Sequence, residues 1–297
     1  MRVLITGASG HIGSVLSKRL GDGHALRGLD LRLPDRAVEA AEPGEAGEVV
    51  DPGKAGEVGE PGEAAAQASQ TGHIDFLVGD CSDPAVADRA VRGVDAVVHL
   101  AGVATEADLP TILRTHVETT AALLDAMVNH GVHRMVYASS NHAVGMAPRS
   151  ASLSHDTPTR PDTFYGVGKV TAEALLSLYA DRHGISSVAM RIGSFLERPE
   201  TRRNLSTWLS YGDCVRMVRA ALTAEVDGVA IIYGISNNTD AWWDLGPGRA
   251  IGYHPEEDAA TFADSIAARP EDDIEGARVG GPFSTKQFDR SAFGESS

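Results

Sequence analysis

Cysteine is nearly absent from this chain: Cys81 and Cys214 are the only two. Two thiols so far apart in sequence build no disulfide framework, and they fit a reducing, cytoplasmic compartment. Long apolar runs are missing as well. No stretch is long enough to cross a bilayer, and Met1-Arg2 leads straight into a strand pattern without a secretory signal. Positive charge is scarce: 26 Lys and Arg face 41 Asp and Glu, a net charge of −15. Such a balance repels phosphate backbones and anionic lipid, so neither nucleic acid nor membrane is an expected partner. No His/Cys cluster has metal-ligand spacing, so no metal is expected. Any anionic ligand must then be met by local positive charge, which makes individual arginines worth tracking.

What is present begins at the N-terminus. Val3-Leu4-Ile5 reads as a buried parallel strand. Gly7, Gly10 and Gly13 follow at intervals of three, with His11 and Ile12 between the last two, and an amphipathic stretch continues through Leu16 and Leu20. Strand, tight turn and helix in this order let the backbone approach a pyrophosphate, which the helix N-terminus stabilises. The next strand, Ala25–Asp30, ends in an acid that can accept hydrogen bonds from adenine ribose hydroxyls and would repel a 2′-phosphate. NAD is therefore expected over NADP, with Arg32 nearby as the one opposing feature. Two further strand ends, Phe76–Cys81 and Ala96–Gly102, place Asp80 and Cys81, then Leu100, Ala101 and Gly102, where a dinucleotide could lie against the backbone.

The chemistry concentrates between Ser139 and Lys169. Tyr165 and Lys169 are four apart, so on a helix they share one face. A free Tyr has a pKa of about 10 and is a poor base at neutral pH. A nearby ammonium favours the phenolate. Ser140, delivered from another segment, can hold the substrate oxygen, which completes a proton-transfer site suited to alcohol oxidation.

This set resembles the extended branch of the short-chain dehydrogenase/reductase superfamily. Its members combine a strand-end Ser with Tyr-x-x-x-Lys, and the 25-residue separation of Ser140 and Tyr165 is typical of them. They also use the Gly-x-x-Gly-x-x-Gly spacing. The resemblance implies an α/β fold, a Rossmann-type doubly wound parallel sheet with a small C-terminal substrate-capping region. It also implies an adenine contact at Asp80 and dinucleotide contacts from Tyr165, Lys169 and Ile192.

Further blocks narrow the likeness: Ser139-Ser140-Asn141-His142, Arg160-Pro161-Asp162, Arg191-Ile192-Gly193-Ser194, Arg203-Asn204-Leu205-Ser206-Thr207-Trp208, and Tyr233-Gly234-Ile235-Ser236 leading to Trp242-Trp243-Asp244. Together they resemble the bacterial uronate dehydrogenases across the chain outside one acidic segment. That family oxidises the anomeric carbon of galacturonate or glucuronate with NAD, giving an aldarolactone. By this resemblance Tyr165 is the base, Lys169 lowers its pKa and Ser140 binds the same oxygen. Arg203 takes the sugar carboxylate, with Arg202 its rival, and Asn141, His142 and Ser194 bind ring hydroxyls. Ser139 is expected to be structural, and Trp242 and Trp243 to be core. Two departures stand out. Ala104 occupies the place of a substrate-holding Ser, with Glu106 two residues on as a candidate sugar contact. His116 stands where an Asn is common. Other readings are a nucleotide-sugar epimerase or dehydratase, which would return the hydride, and a non-catalytic NAD sensor, which would not need Tyr165 and Lys169. A homo-oligomer is expected.

One segment is foreign to the fold. From Asp35 to Glu63 nine acids stand against two bases, a charge of −7, with acid and glycine each recurring at a period of three. The expectation is a solvated, repeat-expanded loop over about 36–71 with no catalytic role. Residues 1–194 are expected to form the NAD-binding domain, and 195–297 the cap and C-terminal region.

Overall fold

The computed structural model describes residues 1–34, 74–149 and 153–294; the acidic repeat lies outside them. In chain order the elements that build the site are β1 (Arg2–Thr6), α1 (His11–Arg19), β2 (Ala25–Asp30), β3 (Ile74–Val78), α2 (Pro84–Val91) and β4 (Ala96–His99). Then come α3 (Leu109–Ile112), a π-helical turn (Leu113–Glu118), α4 (Thr119–His130), β5 (Arg134–Ser140), α5 (Phe164–His183) and β6 (Ser186–Ile192). The last group is β7 (Ser194–Phe195), α6 (Asn204–Thr207), β8 (Trp208–Leu209), α7 (Tyr211–Thr223) and β9 (Val229–Gly234).

Seven strands form one sheet in the order β3-β2-β1-β4-β5-β6-β9, every pair parallel. The period-two alternation of a strand distributes β1 between two cores. Val3 and Ile5 pack with Leu16 on one face, and Leu4 packs with Leu123, Leu124 and Met127 on the other. Burial on both faces explains the continuous apolar runs. Helix starts are written locally. The Asp83 carboxylate accepts from the Ala85 amide ahead of α2, and the Thr163 hydroxyl accepts from the Gly166 amide at the head of α5. The chain leaves β1 for β2 and β3 on one side, then crosses back to β4 on the other. Ligands of open α/β sheets lie at such a reversal, beyond the carboxyl ends of the strands.

The sheet does not end at residue 194. Six of the seven residues of β6 are buried, so that strand needs a neighbour on each side, and β9 supplies the outer one. The boundary drawn at 194 therefore cuts through the sheet, while the short β7–β8 pair and α6 stand apart from it. Trp242 and Trp243 are core, and Trp243 packs 5.2 Å from the Tyr233 ring.

Behind β5 and β6 lies a closed ion pair. Arg191 donates from Nε and Nη2 to the Glu173 carboxylate at 3.0 and 2.8 Å, and the Ser139 hydroxyl donates to the same carboxylate at 2.5 Å. Ser139 thus does the structural work expected of it. Removing one partner leaves a buried, uncompensated charge. Arg191→Met should lower unfolding free energy by about 3–5 kcal/mol. Arg191→Met/Glu173→Gln should recover most of that loss. Urea unfolding checks both, and an unchanged midpoint in the single variant would show that the pair is unimportant.

Candidate active site

The first half of the site is the crevice at the head of α1. The Gly10 amide donates to the Gly7 carbonyl at 3.1 Å, closing a turn in which Gly7 has φ 69°. A Cβ at Gly13 would lie 2.2 Å from that carbonyl oxygen, so the tight turn demands glycine there. No side chain caps α1, which leaves its N-terminus open to an anion. Asp30 is drawn into the same turn: its carboxylate accepts from the Ser9 amide at 2.9 Å and the Leu31 amide at 2.8 Å. Across the reversal the Ala101 amide donates to the Thr6 hydroxyl at 3.3 Å. The Asp80 carboxylate accepts from the amide and hydroxyl of Ser82. Cys81 is buried, and burial pushes its thiol up to about 12, so its side chain packs and does not react. His11 reaches the opposite wall, with Nε2 2.6 Å from the Tyr211 hydroxyl and its ring 4.8 Å from Phe195. The glycine turn, the uncapped helix and Asp30 together fit a dinucleotide.

The second half is set by α5. Lys169 is 4% exposed and donates from Nζ to the Ala138 carbonyl at 2.7 Å. Its Nζ lies 5.3 Å from the centre of the Tyr165 ring. Burial pulls Lys169 down to about 7, opposed by the charge of Glu173. Burial pushes Tyr165 up to about 12, a hydrogen bond with Ser140 draws it back, and the Asp162 charge raises it further. Burial is thus the dominant influence on the Tyr165 phenol. Lys169 is itself buried, and near neutrality its amine is only partly protonated.

His116 stands behind Tyr165, edge-on at 5.3 Å. The π-helical turn seats it there, and the Thr120 hydroxyl donates to its carbonyl at 2.6 Å. Burial, and then Lys169, push its imidazole down to about 2, so it is neutral and donates from Nε2 to the Val103 carbonyl at 3.0 Å. Such π turns recur at functional sites.

Between these halves lies a cavity of about 430 Å³. Ala104, Ser140, Asn141, His142, Tyr165, Ser194 and Arg203 all line it, although they come from five separate stretches of chain. Asp162, its side chain fully buried, holds His142 Nδ1 at 2.9 Å. Arg203 donates from Nη2 to the Val279 carbonyl at 2.6 Å and from Nη1 to the Ser194 hydroxyl at 3.5 Å, while its buried Nε has no partner. Among the described residues it pairs with no carboxylate, and burial lowers its pKa to about 10. Its rival Arg202 is exposed and turned to Asp272, 3.8 Å away. Glu106 is a correction. Its carboxylate does not line the cavity but accepts from the amides of Phe164 and Tyr165 at 3.0 and 2.8 Å. A helix N-terminus binds a carboxylate strongly, and this one holds the start of α5. The remaining wall, including Phe195, Leu196, Gly280, Pro282 and Phe283, was not anticipated. Only the Gly280-Gly281-Pro282 turn signal hinted at it. A larger open groove of about 810 Å³ lies at the amino ends of β4–β6, near Asp95 and Arg134, and holds none of these residues.

Residues 3–203 match the model of the NAD dependent epimerase/dehydratase family. The chain belongs to this family. Within it, the chain is 34% identical to the uronate dehydrogenase of Pseudomonas putida, over 91% of this chain and 89% of that protein. It is 33% identical to an NAD-dependent glucose-6-phosphate dehydrogenase of Haloferax volcanii, over 88% and 95% of the two. A structure of uronate dehydrogenase from Agrobacterium tumefaciens complexed with NAD is 30% identical, with a TM-score of 0.79 and 99% of each chain covered. This member of the epimerase/dehydratase family is an NAD-dependent dehydrogenase.

Two outcomes follow from α5. Tyr165→Phe should keep the fold and NAD binding but lower turnover by roughly 10²–10⁴; a folded variant with most of its activity would refute the assignment of the base. Lys169 titrates near 7 folded and near 10.5 unfolded, so between these values the unfolded chain holds the extra proton and stability rises with pH. The stability gained by Lys169→Met should accordingly be largest at pH 6 and shrink towards pH 10. Urea unfolding at both pH values tests this, and a pH-independent gain would contradict the burial of an ammonium.

Proposed function

We propose that the protein oxidises the anomeric hydroxyl of a hexuronic acid, galacturonate or glucuronate, to the aldarolactone with NAD. Arg203 carries this reading. A guanidinium with no acid partner among the described residues lines a sugar-sized cavity, its Nη1 beside Ser194, in a strongly acidic protein. It calls for an anion from outside, and a carboxylate suits it through charge-assisted hydrogen bonds.

The rest of the cavity supports the same pose. With the carboxylate on Arg203, the opposite end of a pyranose reaches towards Tyr165. Tyr165 would take the anomeric proton as its phenolate, a form that the positive nicotinamide of bound NAD would favour, and the Ser140 hydroxyl holds the sugar oxygen as charge develops on it. Asn141, His142 and Ser194 hold ring hydroxyls, and Asp162 fixes the His142 ring by binding Nδ1. Phe195, Leu196, Pro282 and Phe283 keep water from the reacting carbon. NAD, when bound in the glycine crevice against Asp30, supplies the hydride acceptor.

A cavity of about 430 Å³ suits a monosaccharide better than a nucleotide sugar, which opposes the epimerase and dehydratase readings. A sugar phosphate is the nearest competitor, because the Haloferax volcanii relative acts on glucose 6-phosphate. A phosphate dianion would meet a single guanidinium here, whereas a carboxylate is matched by it. We also place the protein in the cytoplasm as a homo-oligomer. Both cysteines are free and buried, and Val128 and Leu178 leave apolar surface on the adjoining helices α4 and α5.

Removing one partner of a charge-assisted pair in a partly closed site costs roughly 2–5 kcal/mol. Arg203→Ala should therefore cut kcat/KM on galacturonate or glucuronate by roughly 30-fold to several thousand-fold. Arg203→Lys should recover only part of it, because the fork geometry is lost. NADH formation is the measurement, with galactose and glucose 6-phosphate as comparison sugars. Galactose should be a very poor substrate and nearly indifferent to the change. Equal proportional losses on galacturonate and galactose would make Arg203 structural, and faster oxidation of glucose 6-phosphate by the parent would replace the uronate reading.

A further inference from the structure

Asn141 follows β5 and Arg203 precedes α6, yet a single backbone atom holds them both. The Val279 carbonyl accepts from Asn141 Nδ2 at 2.9 Å and from Arg203 Nη2 at 2.6 Å. Val279 belongs to a strap, residues 278–283, that also contributes Gly280, Pro282 and Phe283 to the cavity wall. The strap is anchored along its length. The Val279 amide donates to the Ala147 carbonyl at 3.0 Å, the Gly280 amide to the Gly145 carbonyl at 2.9 Å, and Arg278 Nη1 to the Met146 carbonyl at 2.7 Å.

Two glycines let the strap pass between the charged groups of the site. A Cβ at Gly280 would fall 1.6 Å from Asp162 Oδ2, and one at Gly281 would fall 2.3 Å from Arg203 Nε. Gly281 also has φ 62°, in the left-handed region. The second contact explains the state of Arg203. Nη2 is fixed by Val279, and residue 281, having no side chain, lets the buried Nε, Cδ and Cζ of Arg203 pack directly against its backbone.

We propose that the strap 278–283 is the specificity-determining element of this enzyme. The Val279 carbonyl aims Asn141 and Arg203 together, and the bare Gly281 lets the Arg203 guanidinium stay seated there, with Nη1 beside Ser194 at the cavity to meet a carboxylate. Pro282 and Phe283 close the cavity beyond it, so that an anionic monosaccharide fits and a substrate extended at that end does not. This inference rests on Arg203 as the carboxylate-binding group.

Gly281→Asn tests it. Asn tolerates left-handed backbone better than most side-chain residues, so strain is small and the new Cβ acts mainly on Arg203. The long Arg203 side chain, not the backbone, has to give way. The KM for galacturonate should rise about tenfold or more, with kcat and the KM for NAD changed by no more than about twofold. Placed on Arg203→Ala, the same substitution should cause almost no further loss, because its target is gone. Multiplying losses, an unchanged KM in the single variant, or an equal proportional loss on galactose would each overturn the proposal. If Gly281→Asn does not fold, thermal melting settles the matter: the collision predicts that Arg203→Ala restores folding, and a double variant that stays unfolded refutes it. The two levels separate cleanly. A parent that does not prefer galacturonate to galactose defeats the uronate reading, whereas a parent that does, with an unaffected Gly281 variant, defeats only the strap.

Discussion

The site depends on keeping buried positive charge without a matching acid beside it. Lys169 and Arg203 are the two cations at the centre, and neither forms an ion pair among the described residues. Acids are close to both, but each is committed elsewhere. Glu173 is bound by Arg191 and Ser139, Asp162 by His142 and Thr163, and Glu106 by the amides that begin α5. The same arrangement that fixes the scaffold therefore leaves two desolvated cations unpaired. One depresses its own pKa beside the base, and the other waits for a carboxylate.

The parallel sheet makes it possible. Strand ends deliver Thr6, Asp30, Ser140 and Ile192 to one edge, while α5 lies across that edge with Tyr165 and Lys169 turned towards it. The two central cations are then held by buried backbone. The Lys169 ammonium rests on a strand carbonyl, and Arg203 on the carbonyl of the strap. Carbonyl dipoles hold a cation in place without cancelling its charge, which a carboxylate would do.

Much of this was legible in the residues. The Val3–Gly13 pattern fixes strand, turn and helix because its chemistry is local. Tyr165 and Lys169 are readable because helical geometry alone puts them on one face. Seven of the eight residues proposed for the sugar meet in one cavity. Glu106 was misread because an acid near a site resembles a ligand, and only the fold reveals that two amides claim it. The strap was hidden for a different reason. Val279 is 138 residues from Asn141 and 76 from Arg203, and it acts through a backbone atom that any residue carries. β9 was assigned to the cap because nothing local in Val229–Gly234 announces which sheet a strand joins. The upward push on Tyr165 has no signal in the residues because burial is a property of the packed molecule.

His116 carries a consequence for how such sites diverge. Histidine is commonly read as a titrating residue, yet this imidazole is pinned in its neutral form across the whole physiological range. To its surroundings it is a fixed dipole with one donor, spent on the Val103 carbonyl. An amide side chain could present the same donor and the same zero charge. The exchange of one for the other would leave the formal charge beside Tyr165 unchanged. A carboxylate or an ammonium there would face Lys169 across a desolvated gap. What the surroundings of residue 116 require is an uncharged donor for the Val103 carbonyl, and the imidazole supplies it.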